Sequence, residues 1–175
     1  KEEKKSLAWK LSHSGILEKI KHFYIWPISS YNQGEKIKKD IDFYFIISWY
    51  LHDYKESFIN KLIEQSKELK WKKVFVLWNA LKNDIKELKE FNITIYSHVS
   101  SKERLDFFYR AKYIISMAWY STIMDLVLNN KKALLFPTKN QTEQEYLAKY
   151  LWEKWLFINW WQTDFNLKKL ISKID

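Results

Sequence analysis

The chain is 175 residues long, has no cysteine, and carries 30 Lys and Arg against 21 Asp and Glu, a net charge of +9. That length supports one domain with a real core. The lack of cysteine excludes a disulfide framework and a thiolate metal site, and no apolar run reaches the 18 residues a membrane-spanning helix needs.

Residues 1–40 are mixed and polar and read as an inter-domain connecting segment. It holds one short strand, "FYI" at 23–25, stopped by Trp26-Pro27. The opening "KEEKKSLAWK" has no apolar stretch of signal-peptide type and no initiator methionine, so a cytoplasmic fragment of a longer protein is expected. From residue 41 the pattern alternates. "DFYFIIS" (42–48) is a short run of aromatic and β-branched residues, as suits a strand buried on both faces. Residues 53–69 place Phe58, Leu62, Ile63 and Leu69 on a helical stripe. Strands are expected at 72–77, 92–96, 112–116 and 132–137, with a last short one at 156–159. Helices are expected at 101–111, with Ser101 as N-cap, and at 120–130. Two more follow at 141–154, where Thr142 and Glu145 have capping-box spacing, and at 164–174.

Short buried strands alternating with helices predict an α/β, Rossmann-like doubly wound parallel sheet. Residues 41–175 form that domain. Ligands of such sheets bind at the carboxyl ends of strands, next to helix N-termini. The loops there are 48–53, 78–80, 97–100, 116–121 and 138–142, and three of the five carry a tryptophan: Trp49, Trp78 and Trp119. Glycine is the residue expected in such turns, for positive φ or for close approach of the backbone to a phosphate. The whole chain has two glycines, Gly15 and Gly34, where about 7% is usual, and ten tryptophans.

The positive charge is nearly all lysine, Arg104 and Arg110 being the two arginines. Arginine is the residue preferred for planar phosphate contacts. Abundant Lys, Asn, Ile, Phe and Tyr all have A/T-rich codons, so codon bias explains the basicity better than a nucleic-acid partner does.

Two segments carry chemistry. In "SMAWYSTIMD", Ser116 ends a strand and Ser121 and Thr122 open a helix, where free backbone amides favour an anion. Asp125, one turn on, can accept hydrogen bonds from a ribose diol. In "PTKNQTEQEYLAKYL", Pro137 closes a strand, and Gln144 and Glu145 begin a helix where polar side chains can read sugar hydroxyls. Taken singly, each is also an ordinary capped helix start. His52 and His98 lie in carboxyl-edge loops within reach of a phosphate, whereas His13 and His22 are scattered.

Together, the ordered segments resemble the C-terminal, donor-binding half of GT-B glycosyltransferases of the family 28 group. That group includes the UDP-N-acetylglucosamine transferase of peptidoglycan synthesis. Its signature resembles Ser-x-x-Gly-x-x-Thr-x-x-Glu, then a strand, Pro, and a helix with Gln and Asn. Ser116, Thr122, Pro137 and Gln144 match, Asp125 stands for the Glu, Ala148 replaces the Asn, and Trp119 stands for the Gly. "LAWKLSHSGIL…FYIWPISSY" resembles the inter-domain text "LAGKLSH…YIGPLS" of a bacterial subgroup, and "FIISWYLHD" resembles the first donor loop, "ISG". The likeness spans essentially all 175 residues.

The resemblance implies an inverting hexosyltransferase that moves a hexose or hexosamine from a UDP-sugar, UDP-N-acetylglucosamine first among them, to an acceptor hydroxyl. It implies a donor site at Ser48, Trp49, Ser116, Trp119, Tyr120, Ser121, Thr122, Asp125, Gln144 and Glu145, with no metal and no further cofactor. The acceptor domain and its base belong to an N-terminal half outside this chain. A lipid-linked or glycan acceptor, and peripheral contact with the inner membrane face, are expected. Two other readings stay open on the residues alone: a UDP-sugar epimerase, which shares the fold, and a basic aromatic single-strand nucleic-acid binder. Reading "W" as "G" restores family text at many places, which motivates a hypothesis: the gene uses UGA for glycine. The gene's nucleotide sequence decides it, since mostly UGG codons at these positions would end the idea.

Overall fold

A computed structural model describes residues 7–8, 11, 21, 28–29, 37–47, 53–79, 81–154 and 156–174. Among them seven strands form one sheet. They are β1 (Ile41–Ile46), β2 (Lys73–Val76), β3 (Ile85–Leu88), β4 (Ile93–Tyr96), β5 (Ala111–Met117), β6 (Lys132–Phe136) and β7 (Ile158–Asn159). The spatial order is β3-β4-β2-β1-β5-β6-β7. Every pair is parallel except β3 with β4. The helices are α1 (Asp53–Lys67), α2 (Ser101–Arg110), α3 (Tyr120–Leu128), α4 (Thr142–Glu153) and α5 (Leu167–Ile171).

The central strands are apolar at consecutive positions because both faces are covered. Phe43, Phe45, Phe75, Ile115, Leu134 and Phe136 pack with Phe58, Ile59 and Leu62 of α1 and Leu167, Leu170 and Ile171 of α5. Their neighbours Tyr44, Val74, Val76, Ile114, Ala133 and Leu135 point the other way. There they meet Phe108 of α2, Ile123 and Leu126 of α3, and Leu147 and Leu151 of α4. The two-residue period of a strand makes this division. Phe45 and Phe75 are register partners in β1 and β2, and their rings stack 3.9 Å apart. Each is fully buried, which contributes roughly 2–3 kcal/mol per ring.

The α/β doubly wound architecture read from the alternation is therefore the observed one, with six of its seven strands and all five of its helices within a few residues of expectation. The expected strand at 23–25 lies outside the described residues. Three expectations are corrected. β3 makes the sheet mixed; its "IKEL" is exposed along three of four residues and shows no apolar run, so the pattern of a buried strand is missing. The N-cap of α2 is Ser100, not Ser101. Its hydroxyl accepts from the Glu103 amide at 3.2 Å while the Glu103 carboxylate accepts from the Ser100 amide at 2.8 Å. The box expected at Thr142 does not form: α4 is preceded by Gln141, whose side chain does not cap it.

Lysine and arginine do structural work. Arg110 grips Asp40 with two hydrogen bonds of 2.7 Å and reaches Asp106 with a third of 2.7 Å. The guanidinium holds the Asp40 carboxyl far below the usual carboxylate range. Lys73, which opens β2, and Lys131, which precedes β6, are buried, and the ammonium of each lies near the end of a helix. Lys73 Nζ donates to the carbonyls of Ser66 (3.0 Å) and Leu69 beyond α1. Lys131 Nζ donates to those of Tyr109 (3.1 Å) and Ala111 (2.8 Å) at the end of α2. The last carbonyls of a helix lack intrahelical partners and carry partial negative charge, so a buried cation is tolerated there.

Candidate functional site

Strand order reverses between β1 and β5: β2 and β4 lie on one side of β1, and β5, β6 and β7 on the other. In a doubly wound sheet the ligand crevice opens at that switch point, outside the carboxyl ends of the strands. Two loops border it. The one after β1, with Ser48, Trp49 and His52, lies outside the described residues. The other joins β5 to α3 through Ala118 and Trp119.

Trp119 is the N-cap of α3, with φ −71° and ψ 137° and no side-chain capping bond. The helix begins with the Ile123 amide donating to the Trp119 carbonyl at 2.9 Å. The amides of Tyr120, Ser121 and Thr122 form the positive end of the helix dipole. At α2, by contrast, Ser100 and Glu103 satisfy the corresponding groups. Tyr120 packs partly into the core. Ser121 is exposed, and Thr122 and Asp125 are half-buried. Spacings of three and four residues put Ser121, Thr122 and Asp125 on one face of α3. The Asp125 carboxylate accepts a hydrogen bond from the Ser29 hydroxyl, 96 residues earlier. Ser116 is placed differently: it is buried, and its hydroxyl donates to the Met117 carbonyl at 3.0 Å.

The turn after β6 is a closed polar unit. Gln144 is buried, its Oε1 accepts from the Thr138 amide at 2.9 Å, and its Nε2 donates to Gln141 Oε1. Glu145 accepts from the Asn140 amide at 2.9 Å, which supports Asn140 in the left-handed region at φ 65°. Both side chains expected to read a sugar here also hold the turn. Ala148 is core, and its carbonyl accepts from Asn159 Nδ2 at 2.7 Å. Residues unforeseen from the sequence complete the unit. Gln162, beyond β7, donates to the Pro137 carbonyl at 2.9 Å, and its Oε1, like Thr138 Oγ1, is buried with no hydrogen-bond partner among the described residues. Nothing in "NWWQTD" signals that role, because the contact spans 25 residues.

His98 packs its ring edge-on to Trp78 at 6.0 Å, and the Arg104 guanidinium lies 5.2 Å from the Trp78 ring. This corner, at the ends of β2 and β4, is filled by its own side chains.

The solved structures that this chain superposes on include glycosyltransferases. The spinosyn forosaminyltransferase SpnP superposes with a TM-score of 0.59 at 13% identity, over 79% of this chain and 36% of that one. The spinosyn rhamnosyltransferase SpnG gives 0.55 at 13%, over 84% and 41%. SnogD from Streptomyces nogalater gives 0.54 at 12%, over 85% and 44%. The fold is that of one half of these enzymes. The chain spans well under half the length of each. No family model and no curated protein sequence matches it.

Five of the six described tryptophans lie outside the strands and helices, and Trp152 lies in α4. None of the six described is buried: Trp71, Trp119, Trp152, Trp160 and Trp161 are 39–54% exposed, and Trp78 is partly so. Tryptophan is ordinarily among the most buried residues on average. Trp78 has φ 51°, in the left-handed region, where the other three residues of positive φ among the described residues are asparagines. Trp119 is extended, so positive φ gives no reason for glycine there; only close approach of a ligand does.

At position 78 the backbone preference is measurable. A side chain in this region costs roughly 1–2 kcal/mol. Trp78→Gly is expected to be about 1 kcal/mol more stable than Trp78→Ala in urea unfolding, reversing the usual order of those two residues. Alanine equal to or better than glycine would show that position 78 does not demand positive φ.

Proposed function

We propose that this chain is the donor-binding half of an inverting glycosyltransferase, taking a UDP-sugar and, first among these, UDP-N-acetylglucosamine. The observation that carries the reading is the start of α3. A helix opens at the switch point with no side-chain cap, and two hydroxyls and a carboxylate share the face behind it. The likeness to glycosyltransferase folds and the resemblance of the 116–125 and 137–145 segments to family 28 support it.

In this reading the diphosphate lies against the amides of residues 120–122, with Ser121 and Thr122 as further donors. Asp125 repels phosphate and accepts from the ribose. The acceptor hydroxyl oxygen attacks the anomeric carbon, the bond to the diphosphate oxygen breaks, and the configuration inverts. The proton passes to a base supplied from outside this chain. The helix dipole and aligned amides offset charge growing on the leaving diphosphate. The same reading treats Trp49, Trp78 and Trp119 as glycine positions of the native fold.

Isothermal calorimetry with UDP-N-acetylglucosamine tests it. Binding displaced by UDP and much less by UMP is expected, because the helix start recognises a diphosphate. Equal competition by UMP, or no binding at millimolar ligand in the chain and in its Trp119→Gly variant alike, would remove the assignment.

A further inference from the structure

We propose that Gln162 is a positioning residue of the donor site, setting the gap between the β5–α3 and β6–α4 turns in which the sugar of the nucleotide lies. The inference rests on the donor-site reading above and adds to it a residue from the loop between β7 and α5.

The parallel pairing of β5 with β6 ends at the register pair Met117 and Phe136. Beyond it the two chains part, one into α3 and the other through Pro137 and Thr138 into α4. Gln162 reaches across that fork. Its Nε2 donates to the Pro137 carbonyl at 2.9 Å and lies 3.8 Å from Met117 Sδ, a weak acceptor. A primary amide carries two N–H donors, so one group serves both chains. Gln162 and Met117 are buried, so water does not compete for these contacts. The loop that presents the amide is itself braced. The Trp160 amide donates to the Leu135 carbonyl at 3.0 Å, Lys61 Nζ to the Thr163 carbonyl at 2.9 Å and Gln65 Nε2 to the Phe165 carbonyl at 3.0 Å. Two residues after Met117 stands the N-cap of α3, where the diphosphate is assigned. One residue after Pro137, the Thr138 amide donates to Gln144 Oε1. Gln162 thus links the diphosphate end of the site to the turn that carries Gln144 and Glu145, the residues that the resemblance puts at the sugar. Stability alone does not explain a glutamine here. Its Oε1 and the Thr138 hydroxyl oxygen are buried without a hydrogen-bond partner among the described residues, which is unfavourable to folding. An apolar side chain of similar volume would leave one such atom fewer, but it would not hold the Pro137 carbonyl.

The experiment titrates UDP and UDP-N-acetylglucosamine calorimetrically into the unsubstituted chain and into its Gln162→Met and Gln162→Asn variants, each with and without Trp119→Gly. Methionine keeps the volume and removes the amide; asparagine keeps the amide one methylene short of the carbonyl. Both variants are expected to fold, which urea unfolding checks. In each, affinity for UDP-N-acetylglucosamine is expected to fall about three- to tenfold relative to UDP, the size of one hydrogen bond, while UDP itself binds as before. A residue that only supports the fold would move both affinities together. Equal weakening of the two nucleotides, or an unchanged ratio in both variants, therefore overturns the positioning role and leaves the donor site standing. So does UDP binding with UDP-N-acetylglucosamine bound by none of the proteins. No binding of either nucleotide, even with Trp119→Gly, overturns the donor-site reading and this inference with it.

Discussion

Replacing Trp119 with glycine is expected to tighten UDP binding by at least about tenfold. A diphosphate bound at the start of α3 must bring its oxygens within roughly 3 Å of the backbone amides. The residue at the N-cap itself, immediately before those amides, is Trp119, whose side chain is 39% exposed. Forcing a ligand past a bulky side chain costs typically 1–3 kcal/mol, and each 1.4 kcal/mol is a factor of ten in affinity. The backbone itself loses nothing, since φ −71° suits any residue. Trp119→Ala is expected to recover much of the same gain, because the obstacle is the ring. The opposite role for the indole, a platform on which uracil stacks, predicts that both variants bind more weakly. Titration of UDP into the three proteins separates the two.

The second large effect is on stability. Burial pushes the Lys73 ammonium down from its ordinary 10.5 to about 8, with Asp42 opposing the shift in part. Lys131 is likewise lowered to about 8 by burial, and Lys39 adds to the effect. Between these values and 10.5 the unfolded chain binds more protons than the folded one, so stability rises with pH across that window. The full contribution is present above 10.5 and is lost as pH falls through about 8. One pKa unit is 1.36 kcal/mol, so each lysine adds about 3 kcal/mol across the window as an upper limit. Urea midpoints measured from pH 7.5 to 10.5 are expected to climb, and Lys73→Met and Lys131→Met each to flatten the curve. Tyrosine ionisation in the same range is common to all three proteins and drops out of the comparison. A parallel curve for Lys73→Met would mean that its ammonium is as well solvated in the folded chain as in the unfolded one.

The site was less legible in the sequence than the fold, for reasons particular residues show. Phe45 and Phe75 announce buried parallel strands because both neighbours of each are apolar too. β3 escapes, since an exposed edge strand needs no apolar run. Ser121, Thr122 and Asp125 are legible because a helix puts residues three and four apart on one face. Gln144 and Glu145 fall on the expected helix, and what the sequence did not show is that Gln144 Oε1 accepts from the Thr138 amide and Glu145 Oε1 from the Asn140 amide. Capping Ser100 instead of Ser101 is a one-residue matter of where the amides turn outward.

Composition and periodicity alone determined the architecture, the order of its strands and helices along the chain, and the surplus of tryptophan over glycine. Local patterns suffice there because each follows from a two- or 3.6-residue repeat and from the backbone demands of a turn. Only the tertiary structure decided that Ser29 meets Asp125 across 96 residues, that Gln162 reaches the Pro137 carbonyl, and that Lys73 and Lys131 lie buried against carbonyls near helix ends. Those contacts carry no sequence signature, because they depend on which side chains the crossovers bring together, and no spacing along the chain encodes that.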